Sequence, residues 1–229
     1  MVRVLARFLR AAGYTVFTDG PRTWEPRWDR PVVDTATGRQ KIDGEGNPVW
    51  ERARLDLRIE GGPDEPVTYV DVVISDPRAE CWERMAALAD GAVAEEHASR
   101  KHGRYPAELV PNARMVPFSV EAGGRLGAEA LELLERAAGR GSQRHQGVAA
   151  AGDEAGGALL GSWLAQLSCV LQKCLAARLR TAGGTGAQDH QEPGPDGVED
   201  DEDNEWLLDQ IDALILQART NAAADAGAN

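Results

Sequence analysis

The chain has 229 residues, long enough for one substantial domain with appendages. Its 42% hydrophobic content supports a core, while 25 glycines and a mean hydropathy of -0.40 point to stretches outside it. The formal net charge is -12, but eleven acids and no Lys or Arg fall between Asp189 and Asp212; without them 26 acids face 25 bases, a near-neutral body that neither requires nor excludes nucleic acid.

Three cysteines (Cys81, Cys169 and Cys174) fit neither a disulfide framework nor a zinc knuckle. No run approaches the ~18 apolar residues of a membrane span. Arg3, Arg7 and Arg10 interrupt any signal-peptide pattern. The expectation is a soluble intracellular protein with no membrane partner.

Leu5, Phe8, Leu9 and Ala12 recur at helical spacing, with Gly13 as a stop, and a short strand follows over 14–17. Residues 18–50 are rich in Pro, Gly and Asp, and TGRQKIDGEGNPVW suits a polar hairpin or loop. Two strands are predicted over 52–60 and 67–75. Asp76 is placed as an N-cap, with Pro77 at the first helical position. A helical stretch over 78–102 is weakened at Asp90-Gly91. A strand over 113–120 and a helix over 128–138 complete the body, with Leu131, Leu134 and Ala138 on one side of that helix.

Beyond residue 140 the expectation is a Gly/Ala-rich linker over 141–161 and an amphipathic helix over 162–180. An acidic disordered segment over 181–203, a helix over 204–219 and a disordered tail over 220–229 follow. The fold class is α/β, a mixed sheet with a central hairpin.

The hairpin carries the chemistry. With its loop centred on Pro63-Asp64, paired residue numbers sum to 127: Leu57 faces Val70, Leu55 faces Val72 and Ala53 faces Ile74, an apolar face. The same register sets Asp56 opposite Asp71, with Cβ atoms ~4.5–5.5 Å apart on the other face. Two like charges so close need a positive partner. One answer is a divalent cation, since Mg2+ takes one or two carboxylates plus water and phosphate. The other is Arg54 and Arg58, which lie on the same strand face. In EEHASRKHGRYP, His97, Lys101 and Tyr105 recur every four residues and share a helix face if the helix persists past Gly103. His97 and His102 read as helix-surface residues rather than metal ligands. The tryptophans of WEPRW (24–28) read as cover for a core edge, ahead of a base-stacking role.

The segments ARLDLRI, YVDVVISDP, RKHGRYP and VPFSVEAGGRLG, in this order over roughly residues 1–140, resemble the restriction-like endonuclease domain of non-LTR (LINE-type) retrotransposon proteins. That domain belongs to the PD-(D/E)XK nuclease superfamily. The resemblance implies an α-β-β-β-α-β core with C-terminal helices here, and DNA nicking that leaves a 3′-hydroxyl to prime reverse transcription. It implies Asp56 and Asp71 as ligands of Mg2+ (or Mn2+), Lys101 as a displaced catalytic lysine and Tyr105 as its companion. Glu121, Arg54 and Arg58 are expected in support. It also implies DNA and a reverse transcriptase region as partners, and a nuclear location. The sequence departs from the family at Val73, where the commoner superfamily pattern has its lysine, and at Leu55, where the family often has proline. The alternative is an inert remnant that binds nucleic acid or protein. A small-molecule α/β enzyme is disfavoured by the lack of a phosphate-cradling glycine loop.

Overall fold

A computed structural model describes residues 1–35, 37–146 and 152–184, with side chains described through 144 and over 155–177. Met1–Leu175 form one compact unit and Ala176–Asn229 a second. The expected helix over 204–219, the tail over 220–229 and almost all of the acidic segment over 181–203 lie outside the described residues.

The main sheet has four strands in the order β1 (Thr15–Phe17), β4 (Leu57–Glu60), β5 (Val67–Ser75) and β6 (Ala113–Glu121). β1–β4 and β4–β5 are antiparallel, and β5–β6 is parallel. The chain is therefore mixed α/β, as expected. The helices are α1 (Val2–Ala11), α2 (Glu83–Ala86), α3 (Ala92–Arg104), α4 (Ala128–Gln146) and α5 (Gly152–Gly184). A second small sheet pairs β2 (Arg30–Pro31) with β3 (Trp50–Glu51). Pro117 lacks an N–H to donate and sits on β6, an edge strand, where that loss is tolerated.

Side-chain alternation divides the main sheet into two covered faces. On one, Leu57, Val70, Val116 and Phe118 are buried; α4 covers this side, where its Glu132 pairs with Arg114 of β6. Val4, Leu5, Phe8 and Leu9 of α1 are buried as well, and Phe8 stacks on Trp163 of α5 at 5.0 Å. The other face carries Tyr69, Asp71, Met115 and Ser119, and α3 lies across it. A cluster of Trp28, Tyr69, Tyr105, Leu55, Ala53, Val110 and Met115 fills the end of that face.

Several expectations need correction. The strand predicted over 52–60 forms a ladder only from Leu57. The chain bends at Asp56, and residues 53–55 turn to the segment before β2 instead: Leu55 N–H donates to Thr23 O, and Glu25 N–H to Ala53 O. The pairings Leu55–Val72 and Ala53–Ile74 therefore do not form, and Ile74 is 42% exposed. Asp76 does not cap a helix; its carboxylate takes Arg78 in a turn, and helix begins only at Glu83. The break at Asp90-Gly91 is present, with Gly91 at φ +84 just before α3. In α4 the buried side is Ala130, Leu133, Leu134, Ala137 and Ala138, with Leu131 only half-buried.

The linker expected over 141–161 is helical in most of its described residues, because α4 runs to Gln146 and α5 starts at Gly152. Ala155–Ala177 reaches a mean hydropathy of 1.2 and is long and apolar enough to span a bilayer by length and composition, contrary to the sequence reading. Its Trp163, Leu167, Val170 and Leu171 are buried on the body, while most of the segment is not.

Trp28 is the largest fully buried side chain among the described residues, and its indole N–H donates to Pro106 O at 2.9 Å. Trp28→Ala is expected to destabilise the fold by about 3–5 kcal/mol through lost burial and the cavity left behind. In urea unfolding the midpoint should fall at unchanged slope.

Candidate functional site

Asp71 sits in the middle of β5, on the face that α3 covers, and is 8% exposed. A carboxylate so placed goes neutral or finds a cation. It finds Lys101, whose ammonium lies 2.6 Å from Asp71 Oδ2. Lys101 comes from the last turn of α3, thirty residues further on. The helix does continue past Gly103, to Arg104, so His97, Lys101 and Tyr105 are disposed along one side of it as the spacing predicted.

Tyr105 follows directly as the helix C-cap and is buried. Its hydroxyl is pushed up to about 12, first by burial and then by the charge of the nearby Asp71 carboxylate. At neutral pH it is therefore an uncharged phenol. Tyr105, Lys101 and Asp71 form one group.

Asp56 lies at the bend where the chain leaves the sheet. The departure strips the Val72 N–H of a strand partner, and Asp56 Oδ2 accepts that hydrogen at 2.6 Å. Burial raises the Asp56 pKa, and the nearby Asp71 carboxylate raises it further by repulsion; the Val72 N–H and Lys101 work the other way. The expected juxtaposition of Asp56 and Asp71 is thus present, although the strand ladder stops one pair short of it.

Arg54 and Arg58 do not neutralise this pair. Arg58 bridges Glu60 at 2.7 Å and lies over the Tyr69 ring, while Arg54 is exposed beside Trp24. Glu121 stands apart from the carboxylate pair, at the far end of β6. Its Oε1 accepts the Ala94 N–H at 3.3 Å and so caps the start of α3. His97 packs against Trp82 at 4.9 Å between ring centres, and burial and nearby Arg100 and Lys101 lower its pKa. His102 pairs with Glu129.

Two features of this region escaped the sequence reading. Glu95 Oε1 accepts the Ala128 N–H at 2.7 Å, so one carboxylate from β6 caps α3 and one from α3 caps α4. Gly127 admits this approach, because a Cβ there would lie 2.5 Å from Ser119 Oγ and 3.5 Å from Glu95 Oε1. Glu25 was also missed: it is 6% exposed, receives Arg27 and the Tyr69 hydroxyl, and is held below the usual carboxylate range chiefly by Arg27. Glu95–Ala128 and Glu25–Tyr69 join residues distant along the chain, and no pattern in the sequence marks them.

Among the described residues no group of three or more His, Cys, Asp or Glu side chains gathers as a metal cage. The donor set is two carboxylates. One oxygen of each is engaged, by Val72 N–H and by Lys101, which leaves the other of each. With both ionised, two negative charges face one ammonium. That residual charge and oxygen-only chemistry suit a hard divalent cation that keeps most of its waters.

Comparisons with protein-family models, curated proteins and solved structures return no match to this chain.

The raised pKa of Asp56 sets a sign for stability. The folded chain holds this proton more tightly than the unfolded chain does. Asp56 therefore favours folding at pH below the ordinary carboxylate value, and that contribution is lost as pH rises through the raised one. Asp56→Asn keeps an acceptor for Val72 N–H and removes the charge. Thermal melts in EDTA should show this variant melting above wild type at pH 7, with the gap closing below about pH 4. A lower melting temperature at pH 7 would mean that the ionised carboxylate is already matched by a cation within the chain.

Proposed function

We propose that this chain is a metal-dependent DNA endonuclease with a PD-(D/E)XK-like core, of the kind found in non-LTR retrotransposon proteins. The observation that carries the reading is the convergence of Asp56, Asp71 and Lys101 from a strand bend, a central strand and a helix on one point. The element order α1, β1, β4, β5, α3, β6 supports it, being the α-β-β-β-α-β order of that superfamily.

In this reading Asp56 and Asp71 are the residues that would hold Mg2+ or Mn2+. Such a cation, when bound, would supply a water of lowered pKa and charge neutralisation at the phosphodiester. Lys101 pairs with Asp71 and would offer its remaining N–H groups to the attacking water or a phosphate oxygen, a positioning and electrostatic role. Tyr105, protonated across the working pH range, places a neutral hydroxyl near Asp71. Trp28 and Tyr69 back Tyr105 with packed rings, which restrict its motion. The product is a nick with a 3′-hydroxyl, and a reverse transcriptase region is the partner that would use it. A nuclear location goes with that role.

The alternative is an inert binding module in which the Asp71–Lys101 pair serves only to pin α3 to the sheet. Nicking of supercoiled plasmid with Mg2+ or Mn2+ separates the two. Asp71→Asn and Lys101→Met are expected to lower the rate by about 10²–10³-fold, the scale of losing one preorganised charged group. Activity equal in both variants would belong to a contaminant. Absence of nicking with every metal, from a protein that still binds DNA, would establish the inert module.

A binding measurement tests the metal without catalysis. Millimolar Mg2+ is expected to raise the melting temperature of wild type and leave Asp56→Asn unmoved. Equal shifts in the two proteins would place the cation elsewhere.

A further inference from the structure

We draw no further inference here: the strongest candidate, the exposed apolar patch of Val33, Ile42 and Trp50 on the arm that β2 and β3 carry, has nothing in the structure to show what covers it.

Discussion

The ion pair between Asp71 and Lys101 is the constraint on which the rest of this structure depends. A carboxylate in a central strand under a helix is stable as a charge only with a cation at contact, and the nearest is on α3. That requirement fixes how α3 crosses the sheet. The helix is then held at both ends: Glu121 receives its first turn, while its last turn is anchored by Arg30 to Gly103 O and by Arg104 to Trp28 O. Tyr105 completes the arrangement by joining the buried Trp28 cluster to Asp71. Packing and charge geometry here are one device, since moving α3 by a turn would open the pair and empty the cluster together.

Much of this was legible from spacing. The 127 register holds at Leu57–Val70, Arg58–Tyr69 and Ile59–Thr68, because a two-residue period and a fixed loop leave little freedom. The four-residue spacing of His97, Lys101 and Tyr105 likewise survives, since α3 outlasts Gly103. Extrapolating the register past Leu57 failed for a tertiary reason. Residues 53–55 gain more by packing Ala53 and Leu55 beside Trp28, with backbone bonds to the 23–25 segment, than by continuing along β5. Propensity cannot register such a competitor, because it lies thirty residues away. The Asp76-Pro77 helix start failed for a local one: Arg78 offers the Asp76 carboxylate a nearer partner than a helix terminus.

The EAGGRLG segment shows another limit. Its glycines look like a loop composition, yet they do different work. Gly124, at φ +93, makes the turn after β6, and Gly127 clears space between Ser119 and Glu95 so that α4 can be capped from α3. Glu121 is a helix cap delivered from a strand, with no short-range signature. A carboxylate within a motif carries no mark of whether its partner is a cation, a backbone amide or a substrate, and only the fold distinguishes them.

Asp56 is where stability and chemistry part. Its hydrogen bond from Val72 is fully served by a neutral amide, which would also avoid repulsion by Asp71. Packing gives no reason for an acid at this bend. Asp71, by contrast, is accounted for by Lys101 whether or not the protein is an enzyme. A second carboxylate beside a satisfied one, its pKa raised by burial and by Asp71, works against folding once it ionises. The hydrogen-bond geometry explains an acceptor at position 56, and in the proposed function a cation would be the reason that the acceptor is an aspartate.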